Sequence, residues 1–125
     1  MAKVKLEEVQ AYWNKESCGE SYAEGETELE RYALELKSRY ELEPYIKKFA
    51  EFDSFDGLDV LEIGVGMGSD HSKIAMSGPN SLTGVDLTDR AIQHTKSRFS
   101  IMGLNSDLKT DNAESLSFED ASFDA

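Results

Sequence analysis

Hydrophobic positions recur at helical spacing through the first 56 residues of the chain. Leu6, Val9 and Trp13 are separated by three and four positions, as on one face of a helix. Thr27 and Glu30 have the spacing of a capping box, so a second helix should begin near Thr27. Its predicted apolar stripe is Leu29, Tyr32, Ala33, Leu36 and Tyr40. We therefore predict an α-helical segment over residues 1–56.

Two breaks divide this helical segment. Residues 17–25 are polar and contain two glycines, a composition typical of a mobile loop or lid. Tyr22 in this loop is a candidate ligand contact, although a solvated loop tyrosine is the favoured interpretation. Pro44 suits the first turn of a third helix because its φ is already helical. The apolar positions of that helix are Tyr45, Ile46, Phe49 and Phe52.

After residue 57 the pattern changes to short apolar strands alternating with helices. Residues 60–63 form an apolar run that suits a central parallel strand, and a helix should follow over residues 69–77. Residues 81–86 form a second strand, Thr88 caps a helix, and residues 108–111 form a third strand. The apolar positions of the helix after Thr88 are Ile92, Thr95, Phe99 and Met102. This βαβαβ order over residues 57–125 predicts the first half of a doubly wound α/β parallel sheet.

A glycine turn follows the first predicted strand. Gly64, Gly66 and Gly68 form a G-x-G-x-G motif, whose third glycine comes one residue earlier than in the dinucleotide fingerprint G-x-G-x-x-G. Glycines provide backbone freedom and a close approach to a ligand. Glu62 lies two positions before the turn, and its charge would repel a phosphate but attract an ammonium or sulfonium. The motif therefore favours a cationic cofactor over a pyrophosphate.

Asp86 ends the second predicted strand, about one βα unit after the glycine turn. An acidic residue at this point can accept two hydrogen bonds from the 2′- and 3′-hydroxyls of a ribose. Asp86 and the glycine turn together indicate a site for a nucleoside.

Three segments resemble the amino-terminal part of a class I S-adenosylmethionine-dependent methyltransferase with a Rossmann-like sheet. They are residues 60–68, residues 83–88 and residues 112–124. The third is similar to the family pattern D-A-E-x-L-P-F followed by F-D, with Asn112 in place of the aspartate and Ser117 in place of the proline.

The resemblance implies S-adenosylmethionine as cofactor, S-adenosylhomocysteine as product, and a role for each matched residue. The backbone at Gly64 and Gly66 would contact the methionine moiety, Gly68 would complete the turn, and Glu62 would orient the amino group. Asp86 would hold the ribose, and Met67 and Leu87 would pack around the adenosine. The Ala113 N–H and the Asn112 side-chain oxygen would bind the adenine.

The family chemistry is an in-line attack of a substrate nucleophile on the methyl carbon of the sulfonium. Because the leaving group is already good, the protein mainly aligns the reactants and excludes water. The sequence therefore assigns no catalytic residue. His71 and the lone Cys18 are interpreted as a structural histidine and an incidental thiol, and no metal site is predicted.

The length of 125 residues is about half of what such a domain needs, and the last residues match the start of a fourth strand. We therefore expect a fragment whose first strand has an exposed edge, and we predict that it self-associates through this edge as a homo-oligomer. Two alternatives remain open: a noncatalytic fragment that binds cofactor weakly or not at all, and a nicotinamide-dependent oxidoreductase with an unusual glycine turn.

The net charge of −12 argues against a nucleic-acid substrate, because such binding depends on basic side chains. A small-molecule methyl acceptor is the favoured partner. The first residues lack the long apolar run of a signal peptide or a membrane span, so we expect a cytoplasmic protein with no membrane partner.

Overall fold

The computed structural model describes residues 4–125, and they form an α/β fold in which a helical segment precedes a parallel sheet. The helices are α1 (Leu6–Lys15), α2 (Glu28–Leu42), α3 (Tyr45–Ala50), α4 (Ser69–Met76) and α5 (Asp89–Met102). The strands are β1 (Asp59–Ile63), β2 (Ser81–Asp86) and β3 (Asp107–Thr110). Two short 3₁₀ turns cover Glu20–Tyr22 and Phe52–Phe55. The predicted Rossmann-like βαβαβ order is confirmed.

The three strands lie in the order β1-β2-β3 and are all parallel. Val60 is paired with Leu82, and Val85 with Lys109. This register aligns the carboxyl ends of β1 and β2, so the loops that follow them meet at one edge of the sheet. In open α/β sheets, ligands bind outside the carboxyl ends of the strands.

The outer edge of β1 is paired in part by the last residues of the chain. The Leu61 N–H donates to the Ala125 carbonyl at 2.9 Å, and the Ala125 N–H donates to the Asp59 carbonyl at 3.3 Å. This pattern is that of a parallel strand, as expected for residues 123–124 opening a fourth strand beside the first. Ile63 lies further along the same edge with 51% of its surface exposed. Self-association through this edge stays a prediction.

The hydrophobic core lies between the sheet and helices α4 and α5. Val60 and Leu82 project from paired positions of β1 and β2, and Ile74 and Phe99 pack on them from the helices. Phe52, Phe55 and Leu58 extend this cluster from the segment before β1. One face of the sheet is therefore covered by both helices.

Local capping sets the ends of the longer helices. The Thr27 hydroxyl accepts from the Glu30 N–H at 3.2 Å, and the Glu30 carboxylate accepts from the Thr27 N–H at 3.3 Å, which confirms the capping box. Thr88 caps α5 without a capping box, since only its hydroxyl takes part, accepting from the Ala91 N–H at 3.2 Å. Gly103 ends α5 in the left-handed conformation, with φ of 68°.

The predicted stripe of α2 is only partly correct. Tyr32 and Tyr40 are buried, whereas Leu29 is 58% exposed and Ala33 is also exposed. Glu35 lies on the buried face instead, because its carboxylate pairs with a buried guanidinium, that of Arg98 in α5, at 2.8 Å. A hydrophobic pattern cannot reveal an inward-facing charge of this kind. Within residues 4–125, no helix combines the length and the apolar character needed to span a membrane.

Candidate functional site

A cavity of about 390 Å³ lies at the carboxyl ends of the strands. The sheet side of its wall consists of Ile63, Gly64, Gly66, Val85, Asp86, Leu87 and Thr88. The segment after β3 contributes Asp111, Asn112 and Ala113, and Ala91 of α5 closes one side. Its size falls within the range of small-molecule sites.

The glycine turn places bare backbone against this cavity. Gly64 has φ of 83° and Gly66 has φ of 56°, in the left-handed region that favours glycine. The Gly64 N–H donates to the Val85 carbonyl at 2.8 Å, which holds the turn over β2. A Cβ added at Gly64 would meet no atom within 4 Å, and one at Gly66 would meet only the Cys18 carbonyl at 3.8 Å. The turn therefore leaves room for a ligand.

Gly68 and Met67 lie away from the cavity. A Cβ at Gly68 would come within 2.9 Å of the Thr95 side chain, so this glycine allows close packing between the start of α4 and α5. The Met67 side chain is buried and lines a small separate cavity beside Tyr32 and His94. The structure thus differs from the expectation for Met67, because the residue after Gly66 turns toward the helices.

Asp86 is fixed at the tip of β2, in the wall of the cavity. Its Oδ2 accepts from the Gly66 N–H at 3.1 Å, and its Oδ1 accepts from the Thr88 N–H and hydroxyl, each at 3.1 Å. A carboxylate has about four lone-pair sites, and these bonds use three of them. The carboxylate is therefore oriented by the protein, and a diol would have to share or replace some of these bonds.

The segment after β3 folds into a tight turn around Asp111. The Asp111 Oδ1 accepts from the Asn112 N–H at 2.9 Å. The Asp111 Oδ2 accepts from the Ser117 N–H at 3.1 Å and from the Ser117 hydroxyl at 2.8 Å. These bonds, chiefly the one from the Ser117 backbone, lower the pKa of Asp111. The Asn112 Oδ1 accepts from the Glu114 N–H at 3.0 Å. The Asn112 Oδ1 thus already accepts one hydrogen bond and has a second lone pair, and exposed Ala113 lines the cavity.

Helix α1 and the following loop form the wall opposite the sheet; the loop is the predicted lid, whereas α1 was predicted only to pack. Val9, Trp13, Ser17 and Cys18 all line the cavity. The Gln10 side-chain amide donates to the Leu87 carbonyl at 3.0 Å and anchors α1 next to the cavity. The apolar stripe of α1 was the available signal, but on sequence alone it indicates packing rather than a ligand.

The segment over residues 17–23, here called the lid segment, is anchored on α5. The Arg90 Nε donates to a Glu20 carboxylate oxygen at 2.9 Å, and the Arg90 Nη2 contacts the other oxygen. The Ser17 N–H also donates to Glu20, at 2.7 Å. The hydrogen bond from Arg90 lowers the pKa of Glu20 to about 2. Tyr22 belongs to this segment but is not part of the cavity wall, and its 41% exposure agrees with the favoured interpretation as a solvated loop tyrosine.

Glu62 does not reach the 390 Å³ cavity either. It pairs in register with Gly84 on β2, and its carboxylate lies 3.6 Å from the Nδ1 of His71 on α4. Burial raises the pKa of Glu62, and His71 opposes this shift. The carboxylate instead borders a neighbouring open groove together with Arg39 and Asp70.

Of the nine predicted cofactor residues, the cavity wall contains Gly64, Gly66, Asp86, Leu87, Asn112 and Ala113. Glu62, Met67 and Gly68 are positioned behind it. Within residues 4–125, no group of three or more His, Cys, Asp or Glu side chains could hold a metal ion.

Comparison with known proteins relates this geometry to a family. The family described as "Methyltransferase domain" matches residues 60–125. No curated protein matches the chain. Among solved structures, the PH0226 protein from Pyrococcus horikoshii OT3 is similar at 28% identity and a TM-score of 0.57, over 72% of this chain and 41% of that one.

A second similar structure is magnesium protoporphyrin IX methyltransferase (ChlM) from Synechocystis PCC 6803 with bound SAH. Its identity is 16% and its TM-score 0.63, over 92% of this chain and 55% of that one, a likeness that concerns the fold. The chain thus spans about half the length of these two proteins. The family match includes both the glycine turn and Asp86. The chain therefore belongs to the methyltransferase domain family and has the Rossmann-like fold of class I S-adenosylmethionine-dependent methyltransferases.

Proposed function

We propose that the chain binds S-adenosylmethionine in the 390 Å³ cavity, as the cofactor-binding half of a methyltransferase that acts on a small molecule. The observation that carries this proposal is the contact between the Gly66 N–H and the Asp86 carboxylate at 3.1 Å. It joins the two features that a nucleoside-bearing cofactor needs, bare backbone and a ribose acceptor, in the wall of one cavity.

The residues of the wall fit the parts of this cofactor. Gly64 is open on the cavity side, because an added Cβ would meet nothing within 4 Å, and this space suits the methionine moiety. Asp86 would accept from the ribose hydroxyls. Leu87 and the Ala113 backbone would contact the adenine, and α1 would cover it through Val9 and Trp13. We further propose that residues 1–56 act as an entry and lid segment, and residues 57–125 as the cofactor-binding domain.

When bound, the cofactor supplies an electrophilic methyl group on a sulfonium. The side chains of this chain would bind and orient the cofactor, and the lid segment would exclude water from the methionine end through Ser17 and Cys18. None of the described cavity residues is assigned as a general base. Alignment of the two reactants accounts for most of the barrier reduction in such a transfer.

A small-molecule acceptor agrees with the charge of the chain. The net charge of −12 disfavours a polyanionic substrate, because it opposes the phosphate contacts that such binding requires. A cytoplasmic location remains an expectation from the sequence.

The second candidate is a noncatalytic fragment that binds the cofactor without transferring its methyl group. It is favoured by the coverage of only 41% and 55% of the two similar structures. Titration with S-adenosylhomocysteine tests binding, and incubation with methyl-labelled cofactor and a panel of small nucleophiles tests transfer. Binding without any labelled product would favour the second candidate, and labelled product would support the first.

A further inference from the structure

Thr95 is a buried threonine in the middle of α5, with 0% of its surface exposed. Inside a helix, a threonine hydroxyl commonly donates to the carbonyl one turn earlier, which here would be that of Ala91. The Thr95 hydroxyl instead donates to the Gly66 carbonyl at 3.2 Å. A residue at an apolar position of α5 therefore makes a polar contact with the glycine turn.

This bond completes the fixation of Gly66, whose backbone lines the 390 Å³ cavity. The Gly66 N–H donates to the Asp86 Oδ2 at 3.1 Å, and the Gly66 carbonyl accepts from Thr95. The two peptide groups that flank the Gly66 Cα are thus held by different elements, one by β2 and the other by α5. Because glycine has no side chain to restrict its backbone, these two bonds define the conformation at this point of the turn.

Both ends of the glycine turn are held independently of Thr95. At the first end, the Gly64 N–H donates to the Val85 carbonyl at 2.8 Å. At the other end, the Ser69 hydroxyl accepts from the Arg98 guanidinium at 2.9 Å. Since neither bond involves Thr95, loss of its hydroxyl should release the carbonyl in the middle of the turn and leave both ends in place.

The Thr95 side chain also packs against Gly68. A Cβ added at Gly68 would lie 2.9 Å from both the Cγ2 and the Oγ1 of Thr95. Thr95 therefore has two contacts with the turn, a hydrogen bond to Gly66 and a steric contact with Gly68. Substitutions can separate them, because valine keeps the branched shape without the hydroxyl, and serine keeps the hydroxyl without the methyl group.

We infer that Thr95 is a positioning residue for the cofactor, because its hydroxyl fixes the Gly66 peptide group before the ligand binds. Without this hydroxyl the Gly66 carbonyl would face an apolar side chain, and an unpaired buried carbonyl is unfavourable. The peptide group would then rotate, and the bond from the Gly66 N–H to Asp86 would loosen. Binding would have to restore this order at a cost in entropy. The inference rests on the proposed cofactor site and adds to it a residue outside the cavity wall.

Calorimetric titration of the full chain with S-adenosylhomocysteine tests the inference. Thr95→Val should bind about three- to tenfold more weakly than the unmodified chain, the range for one neutral hydrogen bond, and Thr95→Ser should bind almost unchanged. Thr83→Val is the matched control and should bind like the unmodified chain, because Thr83 is buried in β2 but is not in the cavity wall.

A role in packing alone predicts the reverse order, in which valine is tolerated and serine weakens binding, and this order would overturn the inference. If Thr95→Val does not fold, Thr95→Ala is compared with Thr95→Ser, because both lack the methyl group and only the serine variant has the hydroxyl. Equal affinity of these two variants would then overturn the inference.

Hydrogen exchange of the Gly66 N–H provides a measurement without ligand. Because this N–H is bonded to Asp86, its exchange should become about tenfold faster in Thr95→Val and stay unchanged in Thr95→Ser. The Gly64 N–H, bonded to the Val85 carbonyl, is the internal reference and should exchange at the same rate in all three proteins. Equal exchange of the Gly66 N–H in Thr95→Val and the unmodified chain would overturn the inference.

The two measurements distinguish failure of the inference from failure of the proposed function. Binding by the unmodified chain with an unchanged affinity of Thr95→Val would overturn this inference alone. Absence of binding by the unmodified chain would overturn the proposed function, and the inference with it.

Discussion

The backbone N–H of Gly66 donates to the Asp86 Oδ2 at 3.1 Å, linking the turn after β1 to the tip of β2. This bond keeps the carboxylate at the cavity wall and holds the turn in its left-handed conformation, with φ of 56°. Because Thr88 donates to the other oxygen of Asp86, the carboxylate has a fixed direction before any ligand arrives. Such preorganisation reduces the entropy cost of binding.

The first prediction concerns Asp86. Asp86→Ala should weaken S-adenosylhomocysteine binding by about 1–3 kcal/mol, the range for lost hydrogen bonds to a charged group. Fluorescence of the single tryptophan, Trp13, reports binding because this residue lines the cavity. Asp53→Ala, at an exposed position in a 3₁₀ turn, is the control and should leave binding unchanged. Equal affinity of the Asp86 variant and the unmodified chain would show that the ribose is held elsewhere.

Alanine substitutions at three glycines with similar backbone strain distinguish effects on stability from effects on ligand binding. Gly64, Gly68 and Gly103 all have left-handed φ, so alanine at each should cost about 1–2 kcal/mol in the free energy of unfolding. Gly68→Ala should cost about 1–3 kcal/mol more, because its Cβ would overlap the Thr95 side chain at 2.9 Å. Urea unfolding measures these costs.

The same variants should rank differently in their affinity for S-adenosylhomocysteine. Gly64→Ala should weaken S-adenosylhomocysteine binding, because Gly64 lines the cavity. Gly103→Ala is its matched control, since neither position has an atom within 4 Å of the added Cβ and Gly103 lies at the end of α5. If both variants bind equally well, the glycine turn does not contact the ligand.

The buried pair of Arg98 and Glu35 should be essential for stability. Glu35→Gln leaves the Arg98 guanidinium without its counter-charge in the interior, a change that typically costs about 3–5 kcal/mol. The exposed pair of Lys37 and Glu41, 3.9 Å apart on the same helix, provides the control, and Glu41→Gln should change stability by less than about 0.5 kcal/mol. Similar unfolding midpoints for the two variants would contradict this account of α2.

The lid segment should loosen in acid. The pKa of Glu20 is lowered from 4.5 to about 2, so its pair with Arg90 stabilises the fold fully above pH 4.5 and loses this effect as pH falls toward 2. Glu20→Gln should therefore be less stable than the unmodified chain by about 1 kcal/mol at pH 6, a value limited by solvent screening of the exposed arginine. The difference in urea midpoints should vanish near pH 2; a constant difference would exclude the ion pair as its cause.

Most of the fold was predictable because it follows local rules. The apolar positions of β1 and β2, the N-caps Thr27 and Thr88 and the glycine at the end of α5 each have a local physical meaning. The third strand was placed one residue late, at 108–111 instead of 107–110. The burial of Glu35 and Arg98 could not be predicted, because it depends on two charges from distant segments meeting in the interior.

The sequence predicted the site only for residues whose backbone position in the sheet places them there. Gly64, Gly66 and Asp86 lie at strand ends, whose location is set by the sheet, and all three line the cavity. The directions of the Met67 and Glu62 side chains depend on packing against α4 and α5, which the motif does not specify. The roles of α1 and the lid segment in the cavity wall depend on tertiary contacts between distant residues. Self-association through the β1 edge stays a prediction.

The most direct test of the cofactor site is calorimetric titration of the purified chain with S-adenosylhomocysteine, with NADH as the comparison ligand. The account predicts saturable binding of S-adenosylhomocysteine and no binding of NADH. Binding of NADH, or failure of S-adenosylhomocysteine to bind at any concentration tested, would contradict the assignment of the cavity.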